Sequence, residues 1–374
     1  MKIILTGATG LLGSQIMYEI LELFINKKID GKLIIFARNR GVNSASDRIN
    51  SLLSSSYTPK IIKEKGIKKL HEYLKIIDTD LADVQESFLS EITDAYFIHS
   101  AGFVNLSTDE EHREKIFDEN TTITKTLFSI FHPFIKKFIY IGTAFSSGNR
   151  EGIICNDFHN LGFKPDHRNA YENAKFHSEN FIAEECKKIG LPFQILRPSV
   201  IGGKMLSNEN PYFISKYMVF YLLAKFFYVL SQRKGNQENI RFMINDDTVL
   251  NIIPVDYVAK VIISSLDRVD IEQLNIVHDK SFNMTDGLQI IMKEVGYSNY
   301  TLIPNTASFK YANSSEKMYY ESIGKHLNPY FITNANEYDT TILNSILEIP
   351  KLDQEALTNM IRYAKLNNFK DINV

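Results

Sequence analysis

Two hydrophobic rhythms alternate along this chain. Short runs rich in branched and aromatic residues occur at 33–37, 74–77, 95–99, 137–141 and 193–196, and a further run begins almost at Met1. Apolar blocks of this length, bounded by polar or glycine-containing segments, predict buried strands. Between them the apolar positions recur every three to four residues, as in Ser14-Gln15-Ile16-Met17-Tyr18-Glu19-Ile20-Leu21, which predicts amphipathic helices. The serine-rich stretch 43–56 carries Ile49, Leu52 and Leu53 at helical spacing and reads as a loop followed by a helix. Strands alternating with helices predict an α/β fold, a doubly wound parallel sheet covered on both faces. After about Leu266 the rhythm weakens into helical pieces and Tyr/Asn-rich connections, so a smaller, mostly helical domain over the carboxyl ends of the strands is expected there.

The stretch 217–230 is dense in aromatic and aliphatic side chains. A membrane span needs about 20 apolar residues, and Lys216 and Lys225 interrupt a shorter run, so the expectation is a buried helix, a lid over a lipophilic pocket or a surface that touches a membrane peripherally. The balance of 42 basic against 44 acidic side chains gives a formal charge of −2 and no global reason to bind nucleic acid. Cys155 and Cys186 are too few for a disulfide framework, and no apolar signal segment precedes the first strand, so the cytoplasm is the expected compartment.

Chemistry enters where the first strand runs into Thr6-Gly7-Ala8-Thr9-Gly10-Leu11-Leu12-Gly13. Glycines three apart between a strand and a helix suit a dinucleotide: Gly7 for the tight turn, Gly10 for close approach of phosphate, Gly13 for close packing of the helix. Thr6, Thr9, Leu11 and Leu12 are assigned to the same cofactor site. An acidic residue at the end of the second strand would favour NADH, but this chain has Arg38, with Arg40 and Arg48 nearby, which suits a 2′-phosphate. NADPH is therefore the expected cofactor. In Asp78-Thr79-Asp80-Leu81, Asp80 is the candidate acceptor for the adenine amino group, with Leu81 beside it and an ordinary turn aspartate as the alternative.

Tyr171 and Lys175 are four residues apart, which puts a phenol and an ammonium on one helix face. A nearby ammonium stabilises phenolate, so the pair can exchange a proton with a substrate oxygen. The spacing recurs at Tyr221 and Lys225, but that copy lies beyond the last of the predicted strands and is assigned to the apolar helix. Thr143, at the end of the preceding strand, is the candidate donor to a carbonyl oxygen, with Ser146 and Ser147 as competitors. Asn120 would hold a relay water or kink its helix by bonding backbone. No residue is assigned to a metal.

In this order the glycine turn, Asn, Thr and Tyr-x-x-x-Lys resemble the extended short-chain dehydrogenase/reductase superfamily. Within it, His99-Ser100-Ala101-Gly102-Phe103-Val104-Asn105, Gly142-Thr143-Ala144-Phe145, Arg197-Pro198-Ser199-Val200-Ile201-Gly202-Gly203 and Asn251-Ile252-Ile253-Pro254-Val255-Asp256-Tyr257-Val258 are similar to the branch of fatty acyl-CoA reductases and thioester reductase domains. The resemblance covers about residues 1–265. It implies a Rossmann-type NADP-binding domain over 1–266 with a substrate-lid insertion at about 203–250, and a substrate-binding cap over 267–374. It also implies cofactor contacts from Ser100, Ala101, Gly102, Pro198, Ser199 and Val200. The implied reaction is reduction of an acyl thioester to aldehyde or alcohol, with the lipophilic substrate delivered by coenzyme A or a separate carrier protein. Gly102 stands where the branch usually has alanine, Asn251 where it often has aspartate, and 267–374 aligns with no familiar reductase C-terminus. A ketone or alcohol dehydrogenase, a sugar-nucleotide epimerase and a non-catalytic NADPH sensor stay open as alternatives, as does a homodimer.

Overall fold

The computed structural model describes residues 1–78, 89, 92–157, 162, 164–233, 237–305, 309–334 and 336–372. The central sheet consists of β1 (Lys2–Thr6), β2 (Lys32–Ala37), β3 (Leu74–Asp78), β4 (Ala95–His99), β5 (Ile135–Ile141), β6 (Phe193–Pro198) and β7 (Gln273–Ile276). Their order is β7-β6-β5-β4-β1-β2-β3, and every pairing is parallel. The winding direction reverses between β1 and β4, and in a doubly wound sheet the crevice at the carboxyl ends there is where a ligand sits.

Side chains alternate across the strands and so build two layers. Ile3 and Leu5 of β1 join Leu33, Ile35 and Ile98 beneath α1 (Leu11–Ile25), whereas Ile4 joins Phe97, Phe138 and Ile195 on the other face. The second face is covered by the helical stretch 113–131 and by α2 (Ala170–Ile189). The serine-rich stretch forms a helix, Ala45–Leu53, started by a reciprocal cap between Ser44 and Asp47.

A second core lies over the carboxyl ends of the sheet. α3 (Phe220–Ser231), α4 (Met284–Val295) and α5 (Gln354–Leu366) pack around Tyr221, Phe227, Leu288 and Met360. The expected lid and the expected C-terminal cap thus share one apolar interior. The boundary expected at 266 falls before the last strand of the central sheet, because β7 belongs to the chain after it. β7 is hidden in the sequence by Gln273 and Asn275, which are polar yet buried. Arg197 Nη2 donates to Gln273 Oε1 at 2.6 Å, and Asn275 Nδ2 donates to Cys155 O at 3.3 Å, so a remote partner meets one polar atom of each side chain. α3 begins at Phe220, three residues later than the apolar run, because Val219 stands at φ 51°, outside helical space. Among the described residues no helix is long and apolar enough to cross a membrane.

Candidate active site

The glycine turn joins β1 to α1 at the sheet's reversal. Gly7 has φ +75°, and a Cβ on it would lie 2.6 Å from Ala101 N; a Cβ on Gly13 would lie 2.0 Å from Gly7 O. Both positions therefore require glycine for close backbone approach. Gly10 caps α1 with no side-chain hydrogen bond, which leaves the amides of the first turn for an anion. Gly10, Leu11, Leu12, Gly13, Ser100, Gly102, Pro198, Ser199 and Val200 line one cavity, and Ser199 Oγ is buried with no partner among the described residues. These features fit a dinucleotide. Thr6 faces the interior instead: its Oγ1 contacts His99 Nδ1 at 2.8 Å and accepts from Ala101 N at 3.3 Å, tying β1 to β4.

Arginines gather beside the turn. Arg48 donates to Thr9 Oγ1 and to Arg38 O, each at 2.8 Å, and Arg38 Nη2 lies 3.3 Å from Glu119 Oε2. Burial lowers the pKa of Arg48, and the charges of Arg40 and Arg38 lower it further, which marks a local surplus of positive charge. Asp80 and Leu81 lie outside the described residues.

The chemistry-bearing groups converge from β5 and α2. Asn169 Oδ1 accepts from Glu172 N and starts α2, so Tyr171 and Lys175 occupy its first two turns on one buried face. Thr143 follows β5. Ser146 Oγ is engaged with Thr143 O at 2.8 Å and Glu179 Oε2 at 2.9 Å, and Ser147 Oγ donates to Ala144 O at 2.9 Å. Among the described residues Thr143 Oγ1 only accepts, from Phe145 N at 3.4 Å, which leaves its proton for a ligand. Thr143, Tyr171 and Lys175 all line the cavity that holds the glycine turn. Burial raises the Tyr171 phenol pKa more than Lys175 lowers it, and burial lowers that of Lys175 against the opposing pull of Tyr171 and Glu179.

Asn120 sits in a π-helical turn, Asp118–Thr122. Its Nδ2 donates to Ile116 O at 2.8 Å and Phe103 O at 3.0 Å, and its Oδ1 accepts from Phe103 N at 3.2 Å. Its side chain thus shapes the helix and holds the segment after β4. Gly102 is fitted to this arrangement, since a Cβ there would lie 3.0 Å from Asn120 Oδ1 and 3.3 Å from Lys175 Nζ. Asn251 donates to His278 O and Ser281 Oγ and accepts from His278 N, a set that an aspartate could not make. The second Tyr-x-x-x-Lys pair stands apart: Tyr221 is buried and accepts from Gly203 N at 3.1 Å, while Lys225 reaches Phe369 O.

Sequence reasoning missed the support beneath Thr143. Glu179 accepts from Thr143 N at 3.3 Å and from Arg197 Nε at 2.6 Å, and both charged side chains are fully buried. The available signals were a carboxylate four residues after Lys175 and an arginine ending an apolar strand. It also missed Arg168, which lines the cavity and pairs with buried Glu172 at 3.0 Å.

The cavity, about 460 Å³, runs from these groups into the second core, where Val219, Phe220, Leu223, Leu250, Met284 and Leu288 form an apolar wall.

The chain matches the family described as male sterility protein over residues 5–262. It is 24% identical over 242 residues to a Drosophila melanogaster protein named as a fatty acyl-CoA reductase, CG8303, a match that covers 56% of this chain. The match spans 42% of that relative, less than half its length. Among solved structures, the terminal R domain of the myxalamid PKS-NRPS pathway has a TM-score of 0.69 at 18% identity, covering 99% of this chain and 91% of that one. The UDP-glucuronic acid 4-epimerase of Bacillus cereus has a TM-score of 0.63 at 17% identity, with 99% of each chain covered. At these identities the structures share the fold.

Proposed function

We propose, from the premise that this chain belongs to the male sterility protein family, that it is an NADPH-dependent reductase of lipophilic acyl thioesters. It is an oxidoreductase of the extended short-chain dehydrogenase/reductase type. The observation that carries the finer reading is the continuity of the cavity, which passes from Thr143, Tyr171 and Lys175 into a wall of aliphatic and aromatic side chains. Such a wall suits an acyl chain and offers little to a sugar nucleotide. The name of the Drosophila relative supports the same substrate class.

Gly7 to Gly13 would hold the pyrophosphate, Arg38 and Arg48 the 2′-phosphate, and the bound cofactor supplies a hydride to the carbonyl carbon. Thr143 and Tyr171 donate hydrogen bonds to the carbonyl oxygen as negative charge develops there. Tyr171 then transfers its proton to that oxygen, and the Lys175 ammonium offsets the resulting phenolate. With a thioester, collapse of the hemithioacetal expels the thiol and leaves an aldehyde. The substrate's coenzyme A or carrier arm would enter at the polar end of the cavity.

Two measurements test this reading. Arg38→Ala is expected to weaken NADPH binding by about tenfold or more, the scale of a charge-assisted hydrogen bond, with NADH binding changed less than about threefold. Equal effects on both cofactors in a fluorescence titration would remove the case for NADPH. Across a series of acyl thioesters, kcat/KM is expected to rise about threefold per added methylene until the apolar wall is covered. A flat series would contradict the acyl pocket.

A further inference from the structure

Lys175 has three ammonium hydrogens, and among the described residues two of them have partners. Nζ donates to Ile141 O at 2.9 Å and to Tyr140 Oη at 3.2 Å. Tyr140 is fully buried in β5, three residues before Thr143, and nothing in the sequence motifs marked it. The His99 ring of β4 lies beside it, with centroids 5.6 Å apart. Ala101 N donates to Thr6 Oγ1, which contacts His99 Nδ1 at 2.8 Å. Burial holds the His99 pKa down to about 3, so the ring is neutral, and its hydrogen sits on Nε2 because the Thr124 hydroxyl 3.0 Å away has its own proton engaged and can only accept. Thr124 in turn gives its proton to Asn120 O. Burial raises the pKa of the Tyr140 phenol, so it meets Lys175 in its protonated form, and Ser178 Oγ donates to Ala174 O at 2.8 Å. An ammonium has only hydrogens to offer, so at 3.2 Å it is Lys175 that donates and an oxygen lone pair of Tyr140 that accepts.

We propose that Tyr140 is a positioning residue for proton transfer: it takes one hydrogen of Lys175, fixes the ammonium against β5 and leaves the third hydrogen for the cavity beside Tyr171. This rests on the reading of Tyr171 and Lys175 as the acid–base pair. Asn120 O accepts from Thr124 and the Asn120 side chain bonds backbone groups, so Tyr140 Oη, and not Asn120, meets the inner side of Lys175. The titratable groups around Lys175 are Tyr171 and Glu179 from α2, Tyr140 from β5 and His99 from β4.

The test is Tyr140→Phe, which keeps the ring and removes the acceptor. Without it a buried ammonium hydrogen has no partner, the charged form of Lys175 is disfavoured, and the Tyr171 phenolate loses support, so the Tyr171 pKa rises. In alcohol oxidation with NADP+, where the phenolate is the base, activity rises with pH through that pKa. The variant is expected to move this acid limb upward by about one pH unit and to lower carbonyl reduction at neutral pH about tenfold. NADPH affinity, read by nicotinamide fluorescence, is expected to stay within about threefold. A loss of equal size at every pH, a loss carried by NADPH affinity, or no loss would each overturn the proposal. Thr124→Val, which exchanges a hydroxyl beside the Tyr140 phenol for a methyl, is expected to shift the limb the same way by less, and serves if the first variant does not fold. Activity retained in Tyr171→Phe would defeat the acid–base reading itself, whatever the Tyr140 variant does.

Discussion

Tyr171→Phe is expected to lower carbonyl reduction about a thousandfold while NADPH binds within about twofold of the unaltered protein. Removal of one oxygen from a buried phenol leaves the ring packed in its place and deprives the carbonyl oxygen of both a hydrogen bond and its proton source. General acid catalysis contributes about 10²- to 10⁴-fold, and the Thr143 hydroxyl, the other donor at that position, has no acidic proton to replace it. Lys175 does not substitute either. Two of its hydrogens are held by Tyr140 and Ile141, and its proposed role is to stabilise the phenolate that the variant cannot form. Rates and fluorescence titrations on the same preparation check this. Normal turnover would remove Tyr171 from the mechanism, and an unchanged biological role without turnover would identify a sensor.

Gly13→Ala is expected to abolish NADPH binding at working concentrations, a loss of at least about a hundredfold. The added Cβ would lie 2.0 Å from Gly7 O, and both sides of that contact are backbone, so no side chain can swing away. Restoring ordinary contact requires the turn and the first turn of α1 to separate by more than about 1 Å, in an interior packed as densely as a crystal. The seat of the pyrophosphate moves with them. Overpacking also costs about 1–3 kcal/mol of stability, which a thermal melt will register apart from the titration. NADPH binding retained at its original strength would place the cofactor elsewhere.

Much of the frame was legible because its physics is local. Glycine spacing, the short apolar runs and the Tyr171–Lys175 interval each report a backbone requirement visible within a dozen residues. The strands at 33–37 and 95–99 appear almost as read, and the second Tyr-x-x-x-Lys pair lies in the apolar helix to which topology assigned it. What escaped notice depends on partners distant in the chain. β7 was obscured because Gln273 and Asn275 are polar in the sequence yet buried beside Arg197 and Asn156, which lie far away in the chain. Thr143 stood ahead of Ser146 in the sequence by its place at the strand's end, but that Glu179, 33 residues beyond Ser146, occupies the serine was not legible there. Asn120 left two roles open in the sequence, and the bonds to Ile116 and Phe103 show that its side chain shapes the helix. The unity of lid and cap came from Phe227, Met292 and Met360 meeting in one core, which no single segment announces.

The most direct test of the central claim is nicotinamide absorbance with purified protein and NADPH, offered long-chain acyl-coenzyme A and acyl-carrier-protein thioesters beside ketones and alcohols of the same length. The account expects oxidation of NADPH that depends on the thioester and yields free thiol with aldehyde or alcohol. Turnover of the ketones or alcohols alone, with thioesters inert, would contradict it.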